Sequence, residues 1–201
     1  MRIALTVLAL SLLMAACSRD KSAAPDGVFE PLEFNVDSTL LGSVIEVGGV
    51  RLQAPAQWAE VDSSTFARIL DVAARDTSEL RLLPTYVFKH VSGGPMLLVS
   101  TFPRAVDLQR DFLAWAGEVA RVYREQRKDI EVREQWINIA GVRALQLFSR
   151  SPQLIHAKII LHADQPVSLD YTVPVSMWPT EARAVESSLG TLRRISSSNS
   201  R

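Results

Sequence analysis

The chain has one cysteine, Cys17, and only three histidines in 201 residues. A lone thiol cannot close a disulfide within the chain, so stability must come from packing, and Cys-based zinc sites are excluded. Neither sign of charge is in excess: Lys plus Arg and Asp plus Glu both number 22. That balance carries no electrostatic footprint for nucleic acid, and no block of like charge forms a polybasic patch. Also missing are a Gly-x-Ser-x-Gly elbow, a glycine loop with lysine for phosphate, and His-Glu-x-x-His. These absences imply no catalytic residues, no cofactor and no metal. What is present is 47% hydrophobic and 22% charged residues, the composition of a globular domain.

The first stretch stands apart. Arg2 is followed by an apolar run from Ile3 to Met14, interrupted only by Thr6 and Ser11, and then by Ala15-Ala16-Cys17. This is the layout of a secretory signal: a positive start, a short apolar segment and small residues before the cut. The apolar run is shorter than the roughly 20 residues needed to span a bilayer. Because the cut falls at Cys17, residues 1–16 resemble a bacterial lipoprotein signal, with Met14 standing where leucine is usual. The resemblance implies acylation of Cys17, membrane attachment through it, and a cell-envelope location. Ser18 after the cysteine implies, in the enteric sorting pattern, the outer membrane facing the periplasm.

Residues 17–43 then read as the lipidated cysteine and a tether. Ser18 to Asp26 is small, polar and contains Pro25. Val28, Phe29, Leu32, Phe34 and Val36 add an edge strand or a clasp on the domain. The domain itself spans residues 44–195, with a polar tail at 196–201. Gly48-Gly49 between Val44–Val47 and Val50–Gln53 predicts a tight hairpin. Leu82–His90 and Met96–Phe102 around Ser92-Gly93-Gly94-Pro95 predict a second.

Helical spacing is equally plain. Phe66, Ile69, Leu70 and Ala73 fall at i, i+3, i+4 and i+7, predicting a helix over 63–75 with Asp62 or Ser63 as cap. Leu108, Phe112, Trp115, Val119 and Val122 predict a longer one over 107–128, capped by Asp107. Strands at 130–137, 142–149, 154–162 and 167–173 have links too short for parallel crossovers, so they form an antiparallel meander. Trp178, Ala182, Val185, Leu189 and Leu192 mark a closing helix. The order predicts an α+β domain, one antiparallel sheet with helices packed on it.

These elements resemble the PsbP/Mog1/DcrB-like family. The likeness is carried by Val50 to Trp58 with its Pro-x-x-Trp, by Met96–Phe102 leading into the long helix, and by Asn138 to Ala144. The Trp178 helix and Ser187 to Leu192 complete it. The resemblance implies an α/β/α sandwich around a central antiparallel sheet. It implies binding or assembly roles rather than catalysis.

His156 and His162 share a strand face with Lys158 and Ile160, while Ile155, Ala157, Ile159 and Leu161 take the other. At about 3.3 Å per residue the two histidines lie about 20 Å apart, too far to share an ion. With Asp164 and Asp170 nearby, this face reads as solvated, and His90 likewise. Trp115 and Trp178 lie on helical stripes and read as core. Trp58 and Trp136 are each either a core plug or an exposed anchor for a partner, since interfaces favour tryptophan.

The expectation is a lipid-anchored, non-catalytic envelope protein that binds an envelope protein or supports assembly. A carrier of an apolar ligand or lipid is the alternative, and cavity volume separates the two: a deep pocket with convergent polar groups weighs against the first. For the anchor, Cys17→Ser is expected to leave the domain folded but abolish incorporation of radiolabelled fatty acid. Wild-type protein that takes up no label would make residues 1–16 a plain signal.

Overall fold

A computed structural model describes residues 29–78, 80–102 and 108–195. The signal, Cys17, the Asp107 cap and the 196–201 tail lie outside the described residues.

Turn chemistry sets the first strand pair. Gly48 and Gly49 take φ of 56° and 84°, the left-handed pair that a tight primed turn needs. They join β2 (Leu41–Val47) to β3 (Val50–Pro55), after β1 (Glu30–Pro31). A short β4 (Trp58–Glu60) leads to α1 (Ser63–Ala73), whose cap Asp62 accepts from the Thr65 amide. The second hairpin is β5 (Leu83–His90) and β6 (Met96–Thr101). Next come α2 (Leu108–Glu125), β7 (Val132–Ile139), β8 (Val142–Arg150), β9 (Leu154–Leu161) and β10 (Val167–Pro174). The chain closes with α3 (Trp178–Gly190) and β11 (Arg193–Arg194).

The strands form two sheets. The main one has eight strands in the order β1-β7-β8-β9-β10-β6-β5-β4. It is antiparallel except at its edge, where Glu30 pairs in parallel with Ile137. The first hairpin does not join it. Together with β11 it makes a three-stranded sheet in the order β11-β3-β2. The α+β class read from the sequence therefore holds, with one large central sheet, but the expected single sheet is two.

The main sheet is covered on one face and partly covered on the other. One face packs Ala157, Ile159, Leu169, Tyr171, Leu97 and Val99 against Ile45, Leu52 and Val50 of the small sheet and Val185 and Leu189 of α3. The other packs Leu145, Leu147 and Ile160 under Phe112, Ala116, Val119 and Tyr123 of α2. A polar thread stitches the first layer. The buried Tyr171 hydroxyl lies 2.9 Å from Ser188 Oγ, which donates to the Gln53 carbonyl at 2.6 Å. Burial pushes the Tyr171 phenol well above its usual pKa, against the opposing bond to Ser188.

The residues read as an edge strand or clasp, from Phe29 to Val36, do both: β1 pairs at the sheet edge and the rest packs on the domain. Phe29 sits edge-on to Trp136, with centroids 5.9 Å apart, and stacks toward Phe112. Leu32 and Phe34 pack on the first core, and the Asp37 amide donates to Ser187 Oγ at 3.1 Å. Phe34 and Val36 lie over the last turn of α3, where Gly190 leaves room. A Cβ there would stand 2.8 Å from Phe34 Cβ and 2.6 Å from Val36 Cγ2. Gly→Ala within a helix ordinarily stabilises by about 0.5–1 kcal/mol. Here Gly190→Ala should instead destabilise by about 1–3 kcal/mol through overpacking, read from the urea midpoint at unchanged slope. A stabilised variant would show that the 29–37 segment does not clasp α3.

Candidate functional site

The face of the main sheet under α2 carries polar residues where the strand pattern suggests a solvated surface. Register explains why they are buried. Lys158 of β9 stands directly opposite Asp170 of β10, and His156 opposite Thr172. Both partners of the first pair are almost closed to solvent, Lys158 at 6% and Asp170 at 7%. Lys158 Nζ reaches both carboxylate oxygens, at 2.8 and 3.0 Å, and Ser168 Oγ adds a bond at 2.7 Å. Burial alone would raise the Asp170 pKa. The Lys158 charge and the bond from His156 outweigh it, holding the carboxyl well below its usual range.

His156 extends the network to α2. Its Nε2 lies 3.4 Å from Asp170 Oδ1, and its Nδ1 bonds the Tyr123 hydroxyl. A proton on Nε2 faces the carboxylate and leaves Nδ1 to accept from tyrosine. The two rings are near parallel, 13° apart, and Ser149 Oγ lies 3.3 Å from the same hydroxyl. Burial raises the Tyr123 pKa, so the phenol stays protonated as the donor. With Nδ1 occupied by Tyr123, the His–Asp couple orients a tyrosine rather than presenting a base to solvent. The solvated-face reading of His156, Lys158 and Asp170 is thus corrected: α2 roofs this part of the strand. His162 is half-buried, its ring stacked on Phe112 with centroids 4.7 Å apart. Asp164 is exposed, 3.8 Å from Arg194.

Beside this network lies a cleft of about 780 Å³. One wall is α1, through Thr65, Arg68, Ile69, Val72 and Ala73, and the other is α2, through Val119, Val122 and Tyr123, with Gln126 and Arg127 of the turn that follows it. The floor is Met96 and Leu98 of β6 with His156, Lys158, Asp170 and Thr172, and Leu80, Leu82 and Phe102 add apolar lining. Its volume is in the range of about 300–1,000 Å³ usual for small-ligand sites, which are mostly apolar with a few convergent polar groups. The amphipathic α1 predicted from the sequence forms, yet none of its residues is buried. Val72 is 66% exposed and Leu70 40%.

The four tryptophans divide differently from the sequence reading. Trp58 is 2% exposed, and its indole donates to Glu181 at 2.9 Å, so it is a core plug with no surface for a partner. Trp136 is half-buried between Phe29 and Phe112. Trp115, expected in the core, is half-buried on Phe102 and Phe112. Trp178 is half-buried, edge-on to Phe148. His90 caps its hairpin turn: Nδ1 accepts from the Ser92 amide at 3.2 Å, while Nε2 lies 3.6 Å from Glu181. Cys17 lies outside the described residues. Among those residues no group of three His, Cys, Asp or Glu side chains is placed to hold a metal, and no helix is long and apolar enough to cross a membrane.

No family model and no curated protein matches the chain. Among solved structures it is similar to cyanobacterial PsbP (CyanoP) from Synechocystis sp. PCC 6803. The identity is 11%, covering 91% of this chain and 99% of that one, with a TM-score of 0.47. It is also similar to PA94, a protein of unknown function from Pseudomonas aeruginosa. There the identity is 16%, covering 76% of this chain and 96% of that one, with a TM-score of 0.43.

The buried pair gives a pH-dependent prediction. A carboxyl whose folded pKa is depressed contributes stability above its unfolded value, about 3.9, and loses it as pH falls toward the folded value. Wild type should therefore lose stability below about pH 4 more steeply than Asp170→Asn. Lys158→Met should cost about 3–5 kcal/mol by stranding a buried carboxylate, whereas Lys158→Met with Asp170→Leu should recover most of the loss. Urea unfolding at pH 7 and pH 3 measures both. Equal slopes in wild type and Asp170→Asn would mean the pair is solvated.

Proposed function

We propose that this chain binds a small apolar or amphiphilic molecule in the cleft between α1 and α2, and carries it at the cell envelope. The observation that carries the reading is the cleft itself: about 780 Å³, with apolar walls over a floor of ordered polar groups. A helix with an apolar stripe normally stabilises its fold by burying that stripe, at about 25 cal/mol per Å². The stripe of α1 buries nothing fully, and a ligand in the cleft would cover its Ile69 and Ala73 together with the neighbouring, exposed Val72.

The envelope address rests on the sequence. Acylation of Cys17 would anchor the domain stably, since two or more chains hold where a single one binds marginally. Binding of an envelope protein is the other reading of the sequence, but Trp58 is buried and Trp136 is half-buried between Phe29 and Phe112, so neither stands free as an anchor.

The floor residue Leu98 offers the test. Leu98→Trp should raise the floor and narrow the cleft between Val72 and Val119, weakening binding of a fluorescent apolar probe at least about tenfold, with the unfolding midpoint nearly unchanged. Native mass spectrometry of detergent-free wild type should show a co-purified small molecule that the variant lacks. Wild type that neither carries such a molecule nor binds the probe would overturn the reading.

A further inference from the structure

The charges lining the cleft select among amphiphiles. Among the described residues five formal charges face it: Arg68, Arg127 and Lys158 against Asp76 and Asp170. Lys158 and Asp170 neutralise each other with two short bonds. The Asp76 carboxylate accepts from the Ser78 amide at 2.9 Å, and this bond holds its pKa low. What remains is the ionised Asp76 and two arginines, one on each wall, a net of one positive charge. Arg68 donates only to the Thr65 hydroxyl, at 3.1 Å. The Arg127 guanidinium carbon lies over the Tyr123 ring, 3.9 Å from its centroid. Among the described residues, neither arginine has an ion-paired carboxylate.

Arg127 is also held in place. Tyr123 beneath it is buried and is fixed in turn by His156 and Asp170. The polar network thus lies directly under one guanidinium. A planar fork set in advance loses little freedom on binding and matches a carboxylate or phosphate with two parallel bonds.

We propose that the ligand is a single-chain amphiphile with an anionic head. Arg127 holds the head, Arg68 assists from the opposite wall, and the chain lies over Leu98 between Val72 and Val119. This rests on the cleft being a small-molecule site and adds the sign of the head group.

The test uses cis-parinaric acid, its methyl ester, and displacement titrations on the purified protein. The acid should bind about tenfold or more tighter than the ester, the scale of one charge-assisted pair. Arg127→Ala should bring the acid down to the level of the ester and leave the ester unmoved, while Arg127→Lys should keep part of the preference. Arg68→Ala, on an exposed side chain with no packing role, should give a smaller loss and guards against misfolding at position 127. Displacement by palmitate or by lysophosphatidic acid would identify a carboxylate or a phosphate head respectively. Equal binding of acid and ester, a preference that survives loss of both arginines, or equal displacement by hexadecyltrimethylammonium would overturn the anionic head and leave the cleft reading standing. Binding of neither probe would overturn the cleft reading as well.

Discussion

One buried ion pair orders the middle of this protein. Lys158 and Asp170 face each other on the two central strands of the main sheet, nearly closed to water. Desolvating two charges costs several kcal/mol per ion, and only close geometry with further hydrogen bonds offsets it. Both are present: two contacts of 2.8 and 3.0 Å, and a hydroxyl on the same carboxylate. The pair also fixes register. A slip of one residue between β9 and β10 would turn Lys158 to the opposite face, among Ala157, Leu169 and Tyr171, with its counter-charge left behind. From Asp170 the order passes to His156, then to Tyr123 and so to α2. The wall of the cleft is placed by the charge under it.

The cleft follows from sheet width and helix count. Strands lie about 4.8 Å apart and a helix is about 10 Å across, so one helix roofs about two strands. On one face the small sheet and α3 provide enough cover. On the other, α2 lies over β8 and β9, while α1 stands over β5 at the far side. The strands between, β6 and β10, keep their faces open toward the gap, and Met96, Leu98 and Thr172 become a floor instead of a core.

Periodicity made most elements legible. The two glycine turns, the stripes of α1, α2 and α3, and the short-linked meander all stand within a few residues of where the sequence places them. What local pattern cannot supply is the partner of each element. The first hairpin is identical as a hairpin whether it joins the large sheet or stacks on it, and its place is decided by β11 and α3, far along the chain. The face bearing His156 and Lys158 alternates as a solvated strand does, because its cover arrives from Tyr123 on another element. A signal was nonetheless present. The turn at Ala163 to Pro166 pairs Leu161 with Val167, and counting outward sets Lys158 against Asp170. Opposite charges meeting on two central strands mark a buried pair. The cleft had no such signal, since an amphipathic stripe reads the same whether it meets a core or a cavity.

The small sheet ties the beginning of the domain to its end. Arg51 of β3 pairs with Arg193 of β11, and the Gln53 amide is capped by Thr191, 138 residues away. Strand pairs closed over such a span come late and slowly, because the entropy of joining distant segments is lost before their contacts return it. The first hairpin can form early, but its third strand and the helix beneath it are the last parts of the domain to be made. Until they arrive, Ile45, Leu52 and the face of the main sheet they cover remain open to solvent. The nascent chain would therefore keep the apolar side of its first hairpin uncovered until residues 178–194 are made, an interval in which a holding chaperone has a surface to bind.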